Sequence, residues 1–312
     1  MLRLAFMGSP DLGVPCLQAL SRAPDMELVQ VVTLGDRRRD RRGRPQPTAV
    51  GAAALEAGLP LARWEKGDRE RIIELLGGLD LDAIVVIAFA RLLPPSLLAL
   101  PRLGCLNLHA SLLPWGRGAS PIQAAVLAGL SASGWSAMVM DEGLDTGPLL
   151  ARLELALAAD WNAGDLYAAL KDCAPAFLLE TLRGWRDGKL SPQPQDESGA
   201  TFTRKIPREA GALDWRDDAE RLDRQIKAYT PAPGCWCRLA GRRLGILRAA
   251  PAAAPAGSAP GRILEAGPRL QVACGRGALE ILEVQPEGKR AMAAAEYLRG
   301  RPLAGATGLE NG

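Results

Sequence analysis

Two short stretches of the chain carry the side-chain types that could do acid–base chemistry. The first is an apolar run at 104–109 that is interrupted by Asn107 and His109, with Ser111 two residues further on. With the period of two of a β-strand, the three side chains project to one side near the carboxyl end of the strand. Ligands of open α/β sheets bind at that edge, although a buried histidine beside a turn-capping asparagine would give the same pattern.

The second stretch is the loop 140–147, which follows a strand-like segment and contains Gly143 and Gly147. A carboxylate in such a loop could orient a histidine and stabilise its imidazolium form, or accept a proton itself. Asp145 is therefore the candidate partner of His109. An aspartate in a glycine-rich turn can also serve only to form the turn, so both interpretations stay open.

The elements that must position these residues indicate an α/β fold. Apolar runs at 2–7, 28–34 and 82–88 alternate with helical patterns at 11–22, 47–57, 68–77, 119–129 and 163–187. This alternation predicts a doubly wound, mostly parallel, Rossmann-like sheet. The first turn is not a dinucleotide fingerprint, because Pro10 stands where the second glycine would be required.

A polar, turn-rich stretch predicts a linker at 190–206 between a catalytic domain at 1–189 and a C-terminal domain at 207–312. After the linker, one helix at about 216–229 precedes alternating segments at 235–240, 243–249, 261–266, 269–274 and 278–285. These short segments, separated by turn residues, favour a small OB-like β-barrel. The alanine-rich stretch 249–260 is expected to be a loop.

Positive charge is concentrated in two regions of a chain whose overall net charge is +3. The loop 36–44 holds six arginines and two aspartates, and residues 204–312 have a net charge of +6. Phosphate is the natural partner of such regions, so nucleic acid is the expected partner class.

Several classes of protein are excluded by composition. One histidine and six scattered cysteines without a CxxC pair argue against a structural zinc site, and Cys235 and Cys237 are expected to be packing residues. The longest apolar run has eight residues, too few to span a membrane. The first residues lead directly into a strand and have no secretory signal pattern, so we expect a cytoplasmic protein.

The chain resembles the 10-formyltetrahydrofolate-dependent formyltransferases nearly from end to end. The resemblance is carried by Asn107-Leu-His109, Ser111-Leu-Leu-Pro114, Arg117-Gly118, Pro121-Ile-Gln123 and Asp141-x-Gly143-Leu-Asp145-Thr-Gly147. It extends to Phe6-Met-Gly-Ser-Pro-Asp11 at the start and Gln285-Pro-x-Gly-Lys289 near the end. Any one of these motifs is weak, whereas the set is specific.

The resemblance implies transfer of a formyl group from 10-formyltetrahydrofolate to methionine on charged initiator tRNA, by a monomer without a metal. The implied catalytic residues are Asn107, His109 and Asp145. The implied folate-binding residues border the segment 86–93 and the turn after His109: Phe89, Arg91, Leu92, Ser111, Leu112, Leu113, Pro114 and Asp141. The implied tRNA-binding residues are Arg37, Arg38, Arg41, Arg42, Arg44, Lys289 and Arg290.

Two other functions fit parts of the sequence. A formyltransferase for a small amine (glycinamide ribonucleotide or an amino sugar), or a formyltetrahydrofolate hydrolase, would keep the chemistry. Neither has an evident need for a basic loop and a positively charged second domain. A non-catalytic RNA-binding protein is disfavoured because aromatic residues, which stack on bases, make up only 4% of the chain.

Overall fold

A computed structural model describes residues 1–36, 38–39, 43, 45–300 and 308–312. The chain divides into two compact units. The first contains Met1–Gly118, Ser133–Leu155 and Tyr167–Thr203, and the second contains Ala119–Ala132, Ala156–Leu166 and Arg204–Gly312. The predicted linker thus falls largely in the first unit, and the domain limits at 189 and 207 stay a prediction.

The elements up to residue 203 are a mixture of strands and helices. In chain order they are β1 (Leu2–Gly8), α1 (Val14–Arg22), β2 (Met26–Leu34), β3 (Arg38–Arg39), β4 (Pro45–Gln46), α2 (Ala49–Glu56), β5 (Leu61–Trp64), α3 (Arg69–Gly77), β6 (Ala83–Ile87), α4 (Pro95–Leu98), β7 (Gly104–His109), β8 (Arg117–Gly118), α5 (Pro121–Ala128), β9 (Ala132–Val139), β10 (Leu149–Ala156), α6 (Ala163–Arg186) and β11 (Phe202–Thr203).

The main sheet of the first unit has seven strands in the order β10-β9-β7-β6-β1-β2-β5. β1 is parallel to both β2 and β6, and β6 is parallel to β7, whereas β7 and β9 are antiparallel. This is the mostly parallel, doubly wound sheet that the sequence predicts. Because the chain runs outward from β1 in both directions, the carboxyl ends of β1 and β6 flank the switch point where ligands bind in such folds.

Burial explains why the central strands are apolar on both faces. All five residues of β6 are buried, as expected for a parallel strand covered on each side. One side of the sheet packs into a core that includes Met7, Trp64, Ile72, Ile84 and Leu97. The edge strand β10 instead alternates between more buried and exposed residues, since only one of its faces is covered.

The elements of the second unit after residue 204 are α7 (Ala219–Tyr229), β12 (Cys235–Leu239), β13 (Arg242–Ala252), β14 (Ile263–Ala266), β15 (Leu270–Ala273), β16 (Ala278–Pro286), β17 (Met292–Ala293) and α8 (Ala294–Gly300). Strands β12-β13-β16-β15-β14 form an antiparallel sheet, and β17 pairs with β16. Residues 308–310 bridge both of its edges, because Glu310 pairs with Arg238 and Gly308 with Arg262. This short segment closes the sheet, in agreement with the predicted OB-like barrel.

Most predicted elements are confirmed within a few residues, and one expectation needs correction. The stretch after 249 is not all loop, because β13 continues to Ala252. Strand β5 and the edge strand β10 were not predicted. Cys235 and Cys237 are buried in the barrel, where they pack as expected. No helix of the described residues is long and apolar enough to span a membrane.

Candidate active site

Strand β7 places Asn107 and His109 at the carboxyl edge of the sheet. Asn107 pairs with Val86 of β6 on one side and with Met138 of β9 on the other, and His109 pairs with Ser136 of β9. Their side chains, two residues apart, share one face of the strand. They are 9% and 7% exposed, so both are buried polar groups whose positions are fixed by the neighbouring strands.

The turn that follows β7 is held by hydroxyl groups. The Ser136 hydroxyl donates to the Ser111 carbonyl at 2.8 Å and accepts from the Leu113 amide at 2.9 Å. The Ser111 hydroxyl donates to the Trp115 carbonyl at 2.6 Å, and Ser111 has no exposed surface. This turn brings the Gly116 carbonyl oxygen to 2.9 Å from His109 Nε2.

His109 lies between that carbonyl and a carboxylate. Because a carbonyl oxygen can only accept, Nε2 must carry a hydrogen and donate it to Gly116. In the neutral ring Nδ1 then has the free lone pair, and it lies 3.6 Å from Asp145 Oδ2. A proton that arrives at Nδ1 would be shared with a carboxylate that is already in place.

The loop that presents Asp145 is shaped by its own side chains and glycines. Asp141 Oδ1 accepts from the Gly143 amide at 3.0 Å and from the Thr146 hydroxyl at 2.8 Å. Asp145 has φ +55°, in the left-handed region, and a Cβ at Gly147 would lie 1.9 Å from the Val139 carbonyl oxygen. Asp145 Oδ2 also accepts from the Gly118 amide at 2.7 Å. Asp141 therefore forms the turn, while Asp145 faces the histidine.

The side-chain amide of Asn107 is a hydrogen-bond donor that is not used within the described part of the protein. Among the described residues it has no hydrogen-bond partner, although the side chain is largely buried. An asparagine amide carries two N–H donors, and donors that are not bonded within the protein can bind a ligand. The N–H groups of Asn107 are therefore available to a ligand near the His109–Asp145 pair.

The segment predicted to border the folate follows β6 and lies at the same edge of the sheet. Phe89 is buried against Trp64, with ring centroids 5.7 Å apart, and the Arg91 guanidinium lies 5.7 Å from the Trp64 ring centroid. Leu92 is 73% exposed, which is unusual for a large apolar side chain. In the turn after β7, Leu112 and Pro114 are partly exposed and Leu113 is buried. Contact of these residues with folate stays a prediction.

Three of the seven residues predicted to bind tRNA are among the residues that the structure describes. Arg37, Arg41, Arg42 and Arg44 lie outside the described residues. Arg38 is described only as part of β3, which pairs with β4. Lys289 and Arg290 are exposed between β16 and β17, where Arg290 pairs with Glu296. Their role in tRNA binding stays a prediction.

Three functional features were missed by sequence reasoning. The Gly116 carbonyl and the Gly118 amide bind the candidate catalytic side chains directly, but backbone groups leave no signal in residue type. The third is Gln195, which lies in the predicted linker and binds the Asp145 loop. No group of three or more possible metal ligands among histidine, cysteine and acidic side chains occurs in the described part of the chain.

The fold and the candidate site suit a group-transfer enzyme, and comparison with known proteins gives the family. Residues 2–182 match the Formyl transferase family and residues 205–302 match the Formyl transferase C-terminal domain. The chain belongs to the formyl transferase family.

Relatives of similar length narrow the comparison. The chain is 42% identical over 308 residues to methionyl-tRNA formyltransferase of Parvibaculum lavamentivorans, which covers 97% of this chain and 98% of that protein. It is 41% identical over 302 residues to methionyl-tRNA formyltransferase of Paracoccus denitrificans, with coverage of 97% and 98%. Among solved structures, an N-formyltransferase from Helicobacter canadensis shares the fold with a TM-score of 0.68 at 14% identity, covering 90% of this chain and 98% of that one.

Proposed function

We propose that this chain transfers the formyl group of 10-formyltetrahydrofolate to the α-amino group of methionine carried by initiator tRNA. The observation that carries the proposal is the His109–Asp145 pair beside the unpaired Asn107 amide at the carboxyl edge of the sheet. The choice of acceptor is supported by the similarity to methionyl-tRNA formyltransferases over 97% of the chain.

The reaction needs a stabilised oxyanion and a route for one proton. The amine nitrogen attacks the formyl carbon, and the carbonyl electrons move to its oxygen in a tetrahedral intermediate. When that intermediate collapses, the bond from carbon to N10 of the folate breaks. The new amide has lost one amine proton and N10 has gained one, so protons and electrons balance without an external oxidant or reductant.

The residues at the edge of β7 match these two needs. Free N–H donors of Asn107 can bind the developing oxyanion, the contact that contributes most in acyl transfer. The lone pair of His109 Nδ1 can accept the amine proton, and the Asp145 carboxylate at 3.6 Å stabilises the resulting imidazolium. Burial of the pair strengthens this stabilisation, because the effective dielectric constant is lower than in water.

The folate is proposed to bind along the same edge, between the loop after β6 and the turn after β7. Exposed apolar surface at Leu92, with Leu112 and Pro114 partly exposed in the turn, fits a flat aromatic ligand. Ser111 and Asp141 would contribute by shaping the two turns, since their side chains are engaged within the protein.

The acceptor tRNA is proposed to be held by charge. The arginines of the loop 36–44 and the net charge of +6 on residues 204–312, including exposed Lys289, suit a phosphate backbone. Asn107, His109 and Asp145 all belong to the first compact unit, and we propose that the protein acts as a monomer. Because charged tRNA is used in translation, we propose that the protein acts in the cytoplasm.

A single assay tests the acceptor and the chemistry. The purified chain is incubated with 10-formyltetrahydrofolate labelled in the formyl group and with methionyl initiator tRNA, methionyl elongator tRNA or glycinamide ribonucleotide. We expect label on the initiator tRNA, and a loss of at least ~100-fold in the His109→Ala variant. Label on glycinamide ribonucleotide, or none on tRNA, would contradict the proposed acceptor.

A further inference from the structure

Arg117 is a buried cation that the proposed chemistry does not use. Its side chain is 1% exposed, less than any other charged side chain in the described part of the protein. Removing a guanidinium from water is costly unless its donors are paired. A buried guanidinium therefore needs hydrogen-bond acceptors placed around it.

Those partners come from the segment 195–197, which the sequence suggested was a linker. Arg117 donates to Gln195 Oε1 from Nε at 3.2 Å and from Nη2 at 2.8 Å. It also forms a bidentate pair with Glu197, at 2.9 Å from Nη1 and 2.7 Å from Nη2. The Glu197 carboxylate raises the pKa of the Arg117 guanidinium further. With Oε1 bound to the arginine, the orientation of the Gln195 amide is fixed.

The other end of that amide binds the loop that presents Asp145. Gln195 Nε2 donates to the Asp145 carbonyl oxygen at 2.9 Å and to the Gly147 carbonyl oxygen at 2.7 Å. Asp145 itself is in the left-handed region, which costs free energy for a residue with a side chain and persists only where the surroundings impose it. The two hydrogen bonds from Gln195 stabilise this backbone conformation, because they bind the carbonyl groups on both sides of Thr146.

The segment that contains Gln195 also binds Gly116, whose carbonyl group accepts a hydrogen bond from His109. The Thr201 hydroxyl accepts from the Gly116 amide at 2.8 Å, and the Gly116 carbonyl is the acceptor for His109 Nε2. Strand β11 pairs with β8 directly afterwards, at Phe202 opposite Arg117. Residues 195–203 are therefore attached both to the loop of the aspartate and to the turn of the histidine.

We propose that Gln195 is a positioning residue of the formyl-transfer site, oriented by Arg117, and that it fixes the turn that presents Asp145 to His109. This inference rests on the proposed function, because it concerns the rate of the same reaction. Gln195 does not bind substrate in this proposal. Its effect passes through Asp145 and thus falls on kcat rather than on either KM.

The substitution Gln195→Glu separates positioning from simple structural support. A glutamate keeps the shape and gives Arg117 a stronger, charged partner, but it has no N–H to donate and faces two carbonyl oxygens. We expect kcat to fall by about 10- to 100-fold in Gln195→Glu and in Gln195→Ala, because small displacements of catalytic groups are costly. Both KM values should change little, and melting curves establish that each variant is folded at the assay temperature. Gln193→Glu is the matched control, since Gln193 is exposed and, among the described residues, its side chain forms hydrogen bonds only with Ser191.

A double-mutant cycle shows whether the effect passes through the aspartate. In the Asp145→Asn background, Gln195→Glu should cost less than about threefold, because the charge that it positions is already absent. An equal loss in both backgrounds would overturn the proposal, as would a Gln195→Glu variant with the parent kcat. If Gln195→Glu does not fold, Gln195→Ala takes its place in the cycle.

The two proposals fail in different ways. A parent protein that formylates no acceptor would refute the proposed function, and the positioning role would fall with it. An active parent whose kcat is insensitive to Gln195 would refute the positioning role alone and leave the proposed function standing.

Discussion

The substitution Asp145→Asn tests the electrostatic part of the site with little disturbance of the backbone. Asparagine tolerates the left-handed conformation that Asp145 adopts at φ +55°, whereas alanine would add strain. Its amide oxygen can still accept from the Gly118 amide, as Asp145 Oδ2 does at 2.7 Å. The change therefore removes one negative charge beside His109 and keeps the turn.

The size of the effect follows from the distance. At the 3.6 Å between His109 Nδ1 and Asp145 Oδ2, unit charges attract by about 5 kcal/mol at an effective dielectric constant of ~20. The Asp145 side chain is 14% exposed, so partial screening by water reduces this to roughly 3 kcal/mol. If the imidazolium forms in the transition state, kcat should fall by about 150-fold.

Steady-state formylation of charged initiator tRNA, with folate and tRNA varied separately, measures this loss. Glu142→Gln is the matched control, because Glu142 lies in the same loop, is exposed and has no ion-pair partner among the described residues. A folded Asp145→Asn enzyme with kcat within about threefold of the parent would show that the charge does not stabilise the transition state. A rise confined to KM would assign Asp145 to substrate binding instead.

Two further predictions concern tRNA binding and stability. Replacing Arg41 and Arg42 with Ala should raise the KM for charged tRNA by about 10-fold and lower the salt dependence of its binding by about 1 to 2 in log–log slope, with the KM for folate unchanged. Arg183 and Arg186 hold the pKa of Asp25 below its usual range, so the folded state favours the charged carboxylate. In Asp25→Asn the melting temperature should be lower than that of the parent by roughly 1–3 °C at pH 7. That difference should shrink as the pH falls below about 4, where the unfolded chain takes up the proton first, and should vanish once the folded carboxyl is also protonated.

Both predictions have a clear contrary result. For the loop, the control removes two other exposed arginines, Arg22 and Arg152, and an equal salt slope for the Arg41/Arg42 variant and its parent would exclude the loop from the interface. For Asp25, the measurement is a series of melting curves from pH 7 to pH 2. A parent–variant difference that grows on acidification would contradict the depressed pKa.

Residue types in the sequence indicated the candidate catalytic side chains but not the groups that hold them in place. Asn107 and His109 interrupt an otherwise apolar strand, and that interruption is a signal in residue type. The carbonyl of Gly116 and the amide of Gly118 are backbone groups, which every residue has, so only the turn geometry identifies them. Strand β10 carried a visible alternation of residues, but its position at the edge of the sheet made it easy to overlook.

The segment 190–206 illustrates why composition alone did not indicate the hydrogen bonds that a predicted linker makes. Polar residues, glycine and proline are typical of a linker, and they are equally typical of a segment whose backbone and side chains are satisfied by hydrogen bonds rather than by apolar burial. Gln195 and Thr201 bind groups that lie 50 and 85 residues away in the sequence, and no local pattern encodes such pairs. The geometry of the candidate site therefore depends on three segments that are distant in the sequence, 107–118, 141–147 and 195–203. A change in the last segment should alter the rate even though it leaves every candidate catalytic side chain in the sequence intact.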